Sequence, residues 1–297
     1  MYSGIFTPMI TVLDENRDID FKGNGELIDY IIGGGVNGIL ILGSTGEFFS
    51  IPLDKKKKFI SFVIEKVNKR VPVLVGTGGT DVDEVVELTK FCKKEGADAV
   101  VVVCPYYFKL GEDSLYSYYS EIAENTDIPI IMYNFPDRTC VNMSAELILK
   151  LALKYKNIVG IKDTVDNMSH TRKVIQVVKS QLKDFMVFSG FEEYFIPNLI
   201  SGGNGLIGGL SNFAPELFSE IFSVYNKDDF KTVKVLQNKI NKFMGLYDIA
   251  QPFIPTIKTA VSLVKKDIKP VSCKPLGTLN EVQAAKLKEI LKNEIDF

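Results

Sequence analysis

The chain has 297 residues, 46% of them hydrophobic and 24% charged, and its 35 basic and 37 acidic side chains leave a formal net charge of −2. That length can bury a substantial core without disulfides or metals, and that charge balance gives no footprint for nucleic acid or an anionic membrane. Four scattered cysteines, Cys92, Cys104, Cys140 and Cys273, form no Cys-x-x-Cys pair, which argues against a zinc site or a disulfide framework.

No charged-then-apolar leader opens the chain and no apolar run approaches eighteen residues, so a soluble, cytoplasmic protein is expected. Short apolar runs alternate with longer amphipathic stretches from the N-terminus onward. The runs are Gly4 to Thr11, Gly38 to Leu42, Val71 to Val75, Ala99 to Cys104, Ile128 to Tyr133, Ile158 to Lys162, Phe185 to Ser189 and Gly205 to Ile207. They are rich in Val and Ile and lack strict polar alternation, as parallel strands buried on both faces do. Lys55 to Lys58 opens an amphipathic stretch continuing through Phe59, Ile60 and Val63, and reads as a solvated helix face. Asp81 to Glu95 is a clear helix, with Val82, Val85, Val86, Leu88 and Phe91 near helical spacing and Asp81 as N-cap. Further helices are expected over Phe230 to Met244, Pro255 to Val264 and Leu279 to Leu291.

Eight strand-helix units in about 225 residues is the arithmetic of an α/β fold of the (β/α)8 TIM-barrel type. A doubly wound sheet rarely repeats eight times this evenly. The expected organisation is a barrel over 1–225, with 226–297 as a C-terminal helical extension packed on the barrel or against another subunit.

The single histidine, His170, narrows the chemistry. Ser-His-Asp hydrolysis and His-rich metal chemistry need well-placed imidazoles. His170 lies in Asn167-Met168-Ser169-His170-Thr171, a helix start, and reads as structural. The work falls to Lys, Tyr, Ser or Thr, and carboxylates. In such a barrel the active site lies at the carboxyl ends of the strands. There the sequence carries Gly43-Ser44-Thr45-Gly46-Glu47, Cys104-Pro105-Tyr106-Tyr107, Tyr133-Asn134-Phe135-Pro136-Asp137-Arg138-Thr139 and Gly160-Ile161-Lys162-Asp163.

Lys162 closes an apolar strand, so its side chain is aimed at the barrel mouth. It is either a nucleophile or the partner of Asp163 or Glu47. A nucleophilic lysine must be uncharged, which from the ordinary value of about 10.4 to near 7 means destabilising the ammonium by roughly 4–5 kcal/mol. Tyr133, at the end of the adjacent strand, favours the nucleophile, because Schiff-base formation needs a group that moves protons as water leaves and returns. Gly43 to Glu47 reads as a tight loop whose amides, with the Ser44 and Thr45 hydroxyls, suit a carboxylate; a plain βα turn is the alternative. Arg138 can hold a carboxylate bidentately or pair with Asp137 or a neighbouring helix. Gly76-Thr77-Gly78-Gly79 lacks the dinucleotide spacing and is set aside as a nucleotide site.

Gly-Ser-Thr-Gly-Glu, Tyr-Asn-Phe-Pro-Asp-Arg-Thr and Gly-Ile-Lys-Asp together resemble the dihydrodipicolinate synthase and N-acetylneuraminate lyase superfamily, over essentially the whole chain. The resemblance implies class I aldolase chemistry on pyruvate and an aldehyde, with no metal or organic cofactor, in a homotetramer built as a dimer of dimers. It makes Lys162 the Schiff-base lysine and Tyr133 the proton donor and acceptor. Ser44 becomes the hydroxyl relaying protons to Tyr133, and Tyr107 the relay tyrosine given to the neighbouring subunit. Thr45 and the surrounding amides hold the pyruvate carboxylate, Gly190 and Ile207 line the pyruvate pocket, and Glu47 is grouped with the substrate-binding loop.

The branch is read from conflicting markers. Arg138 stands where dihydrodipicolinate synthases hold the carboxylate of aspartate semialdehyde, and sialic acid lyases generally lack it. Ser44, Cys140 and Lys162-Asp163-Thr164 depart from the synthase pattern, and Gly46 to Ser50, Val75 to Thr80 and Gly160 to Asp166 look closer to 2-keto-3-deoxy-sugar-acid aldolases. The expected function is such an aldolase, with dihydrodipicolinate synthase as the alternative. Two rivals are a silent barrel that only binds a 2-oxo acid, and a phosphate-sugar isomerase with Gly202-Gly203-Asn204-Gly205 as its phosphate loop; the second lacks an obvious Glu base.

Overall fold

The computed structural model describes residues 2–292 and residue 294. Eight parallel strands close into a barrel in sequence order: β1 (Gly4–Pro8), β2 (Gly38–Ile41), β3 (Val73–Gly76), β4 (Ala99–Val103), β5 (Ile130–Asn134), β6 (Ile158–Asp163), β7 (Met186–Ser189) and β8 (Gly205–Ile207). Apart from half-buried Val159 every strand residue is buried. Burial on both faces is why these segments read as continuous apolar runs. All eight expected strands are present, with ends shifted by up to three residues, and the chain is a (β/α)8 barrel with surrounding helices.

The helices begin where capping chemistry dictates. Asp81 accepts from the amides of Asp83 and Glu84 ahead of helix Val82–Glu95, and Asn280 with Gln283 forms a reciprocal capping box on helix Glu281–Leu291. Helices Phe230–Met244 and Ile254–Val264 also fall where hydrophobic spacing predicts them. Helix Leu53–Val67 departs from expectation in one respect: of the basic run Lys58 is exposed and Lys55 and Lys57 half-buried, but Lys56 is buried with Nζ 5.9 Å from the Phe48 ring centre. No helix among the described residues is long and apolar enough to cross a membrane.

Contacts divide the chain into two compact units. One contains the N-terminal residues to Gly4 with Pro72–Ile207; the other contains Ile5–Val71 and the chain from Gly208 onward. In the first, Gly76 to Gly79 has a packing role. A Cβ on Gly78 would stand 2.6 Å from the Val103 nitrogen, so the glycine lets this loop lie against β4. Gly202-Gly203-Asn204-Gly205 leads into the amino end of β8. Asn204 is used structurally, its side-chain oxygen accepting from Lys179 Nζ and the Val187 amide. A barrel phosphate site belongs beyond the carboxyl ends of strands seven and eight, so this loop stands at the wrong end for the isomerase reading.

Candidate active site

In the unit spanning Pro72–Ile207, Lys162 and Tyr133 face each other across neighbouring strands. β5 and β6 pair in parallel, but the register jumps between Ile130 and Ile131, whose partners are Ile158 and Gly160. Continued without that jump, the ladder would set Tyr133 beside Ile161. The extra residue in β6 sets it beside Lys162, and Asn134 beside Asp163. On its other side Gly160 lets β6 lie close to β7, because a Cβ there would meet the Met186 carbonyl oxygen at 2.8 Å.

Lys162 is 6% exposed and Tyr133 4%. The Lys162 Nζ lies 4.3 Å from the Tyr133 ring centre, and its side chain makes no hydrogen bond or ion pair among the described residues. The Tyr133 ring stacks on Phe135, with centres 5.7 Å apart and planes 22° from parallel, and the Arg138 guanidinium lies 5.3 Å from the Phe135 ring. Lys162 Nζ, the Tyr133 and Phe135 rings and the Arg138 guanidinium therefore follow one another in a single stack. Arg138 is exposed, and among the described residues its guanidinium donates only to the Asp137 backbone carbonyl, at 3.4 Å, without pairing with the Asp137 carboxylate.

The alternative partners of Lys162 are committed elsewhere. Asp163, the next residue along the strand, points to the opposite face and is bonded three times. Its carboxylate accepts from Asn134 Nδ2 at 2.8 Å, Thr171 Oγ1 at 2.7 Å and His170 Nδ1 at 3.0 Å. The other His170 nitrogen donates to the Met143 carbonyl at 3.0 Å. Both partners of the imidazole are acceptors, so only the doubly protonated ring satisfies both. Burial opposes that charge, but the bond to Asp163, its charge and the Met143 carbonyl outweigh burial and hold His170 above its ordinary value. His170 is thus structural, as expected. Asn134 extends the network by accepting from the Met143 amide at 3.1 Å and donating to Asn142 Oδ1 at 2.9 Å. These bonds fix Asn134 and Asp163, the residues that follow Tyr133 and Lys162 along their strands, and so hold the Tyr133–Lys162 pair in register.

In the unit containing Ile5–Val71, β2 leads through Leu42 into the Gly43 to Glu47 loop. The Gly46 and Glu47 amides donate to the Gly43 and Ser44 carbonyls at 3.0 and 3.1 Å, and the Phe48 amide reaches Gly43 at 3.4 Å. The Ser44 and Thr45 amides have no acceptor among the described residues, and neither hydroxyl is engaged. Those four donors are the ones a carboxylate needs. Glu47 requires a correction. It is fully buried, with Lys258 Nζ against Oε1 and the Cys273 amide donating to Oε2 at 2.7 Å. Its carboxylate is consumed inside the protein and does not face a ligand.

The other predicted residues lie at or beyond the carboxyl ends of β4, β7 and β8. Tyr107, beyond β4, is 81% exposed and meets Phe108 edge-on with ring centres 4.8 Å apart. Gly190 directly follows β7 and donates its amide to the Asp163 carbonyl at 3.0 Å; a Cβ there would stand 1.8 Å from Thr164 Oγ1. Ile207 ends β8 and is fully buried. The sequence reading missed Asp163, Asn134 and Thr171 as a network, and Lys258 and Cys273 as partners of Glu47. Lys258 did leave a trace: it is the one charge in the otherwise apolar and hydroxyl-bearing helix Ile254–Val264.

The chain is similar to known proteins over its whole length. The dihydrodipicolinate synthetase family model matches residues 1–294. A DapA-like lyase of Thermococcus onnurineus is 42% identical over 90% of this chain and 91% of its own. YagE of Escherichia coli K12, a putative 2-dehydro-3-deoxy-D-gluconate aldolase, is 34% identical over 98% of this chain and 97% of its own. The crystal structure of YagE in complex with pyruvate superposes with a TM-score of 0.96, covering 98% of both chains. Dihydrodipicolinate synthase of Thermotoga maritima superposes with a TM-score of 0.93 at 32% identity, again covering 98% of both. With its closed barrel, its strand-end lysine and tyrosine and its Gly-Ser-Thr-Gly-Glu loop, the chain belongs to the dihydrodipicolinate synthetase family and is a carbon–carbon lyase.

Proposed function

We propose that this protein is a class I aldolase that reversibly joins pyruvate to an aldehyde through a Schiff base on Lys162. One observation carries the reading: Lys162 stands buried at a strand end, without an acidic partner among the described residues, 4.3 Å from the Tyr133 ring. The uncharged amine adds to the keto carbon of pyruvate and Tyr133 passes a proton to the carbinolamine oxygen, which leaves as water. Loss of a methyl proton from the iminium gives an enamine. The enamine carbon forms the new bond to the aldehyde, whose oxygen takes a proton, and water then releases the product and restores the amine. Cleavage runs the same steps backward. The Ser44 and Thr45 donors hold the pyruvate carboxylate throughout; Ser44 also relays protons to Tyr133, and Gly190 and Ile207 shape the pocket.

For the aldehyde the proposal leans to a hydroxyaldehyde, so that the cleaved substrate is a 2-keto-3-deoxy sugar acid. The loop sequences and the likeness to YagE support this. A specific observation favours the second reading, a dihydrodipicolinate synthase using aspartate semialdehyde: Arg138 has no acidic partner among the described residues and presents a guanidinium that a second carboxylate would match. Pyruvate turnover with aspartate semialdehyde, glyceraldehyde and glycolaldehyde separates them, with Lys162→Ala as control. Preference for the hydroxyaldehydes supports the aldolase, preference for aspartate semialdehyde supports the synthase, and turnover by Lys162→Ala equal to the parent's removes the Schiff base from both.

The proposal includes a homotetramer built as a dimer of dimers in which Tyr107 serves the neighbouring subunit. Tyr107 and Phe108 are 81% and 72% exposed beside a surface cavity of about 680 Å³ also lined by Pro105, Leu110 and Tyr118. So much aromatic surface suits burial against another chain. The cysteines, free among the described residues, fit a reducing cytoplasm.

A further inference from the structure

We propose that Lys258 and Glu47 are positioning residues which, with the Cys273 amide, fix the Ser44–Thr45 donors in the orientation that receives the pyruvate carboxylate; this rests on the function proposed above. The loop closes on itself through its own turns, which use the Gly46, Glu47 and Phe48 amides but do not orient it within its surroundings. Orientation comes from two anchors at its far end. Thr11 Oγ1 donates to the Gly46 carbonyl at 2.7 Å, and the Glu47 side chain is gripped from two further segments.

The second anchor has no slack. Glu47 is fully buried on a left-handed backbone, φ 59°, that directs its side chain inward. Lys258, 1% exposed on helix Ile254–Val264, contacts Glu47 Oε1 and donates to the Val271 carbonyl at 2.7 Å. The Cys273 amide takes Oε2 at 2.7 Å. Burial lowers the Lys258 pKa, and the Glu47 charge opposes that fall. Two distant chain segments therefore converge on one carboxylate two residues from Thr45. A shift of about 1 Å in a positioning group can cost on the order of 10²-fold, so this clamp sets pyruvate capture. It gives helix Ile254–Val264 a task beyond packing.

The test measures pyruvate KM, kcat at saturating pyruvate and thermal midpoint for Lys258→Met, Lys258→Arg and Glu47→Gln in the full chain. Lys258→Met is expected to raise pyruvate KM roughly 10- to 100-fold with kcat within about threefold of the parent. Lys258→Arg should restore part of the affinity. Glu47→Gln retains an oxygen for the Cys273 amide and should raise KM about 3- to 10-fold, which keeps the inference testable if Lys258→Met does not fold. Folded variants with pyruvate KM within about twofold of the parent, or with kcat lost and KM unchanged, would overturn the positioning role. Borohydride trapping of pyruvate on the parent separates the two failures. A parent that is not trapped defeats the Schiff-base reading itself. A trapped parent whose variants show the same pyruvate dependence defeats only the clamp.

Discussion

Replacing Asp163 by alanine tests the network that holds the reactive strand ends. The carboxylate is fully buried and accepts three bonds, from Asn134, Thr171 and His170. Bonds to a charged group are worth about 1.5–3 kcal/mol each. Asn134 keeps Asn142 as a partner and His170 keeps Met143, so the loss falls short of the full sum, at about 3–5 kcal/mol, the usual cost of breaking a buried pair. For a chain of this size that corresponds to a fall in thermal midpoint of roughly 6–20 °C. The pH dependence adds a sign. His170 is held above its ordinary value in the folded chain, so its contribution is fully present below the unfolded value near 6.5 and is lost as pH rises through the folded value. Thermal scans of parent and variant from about pH 5.5 to 9 should therefore show the gap between them widest at the acid end. A gap below about 1 kcal/mol, or one that widens toward alkaline pH, would refute the reasoning.

Two further substitutions address chemistry rather than stability. Tyr133→Phe keeps the stack on Phe135 and removes only the hydroxyl, so turnover should fall about 10²- to 10⁴-fold while pyruvate binding changes little; equal losses in both would remove its proton-transfer role. Arg138→Ala should weaken only substrates bearing a second carboxylate, read as kcat/KM across the aldehyde panel. A uniform loss would instead make Arg138 a support for the Phe135 and Tyr133 stack, against which its guanidinium lies.

The barrel was legible because its strands are buried on both faces and show as eight separated apolar runs. Lys162 was legible for the same reason, being a charge at the end of such a run. Its environment was harder to read. Register across β5 and β6 depends on a jump at Ile130 and Ile131, which no local spacing shows, and without it Tyr133 would face Ile161. Asp163 and Glu47 were both candidate partners for Lys162, and strand alternation alone turns Asp163 away. Glu47 was misread because its partners, Lys258 and Cys273, lie more than 200 positions along the chain, where short-range patterns carry no information. The lone imidazole was recognised as structural from its helix-start setting, but the carboxylate it clamps emerges only from the fold.

The central claim is that Lys162 is the nucleophile, and borohydride reduction in the presence of pyruvate followed by peptide mapping tests it most directly. The account predicts one reduced pyruvate adduct, on the peptide carrying Lys162, with loss of activity in step with labelling and no adduct in Lys162→Ala. An adduct on another lysine, such as the buried Lys258, or full activity retained without any adduct, would contradict it.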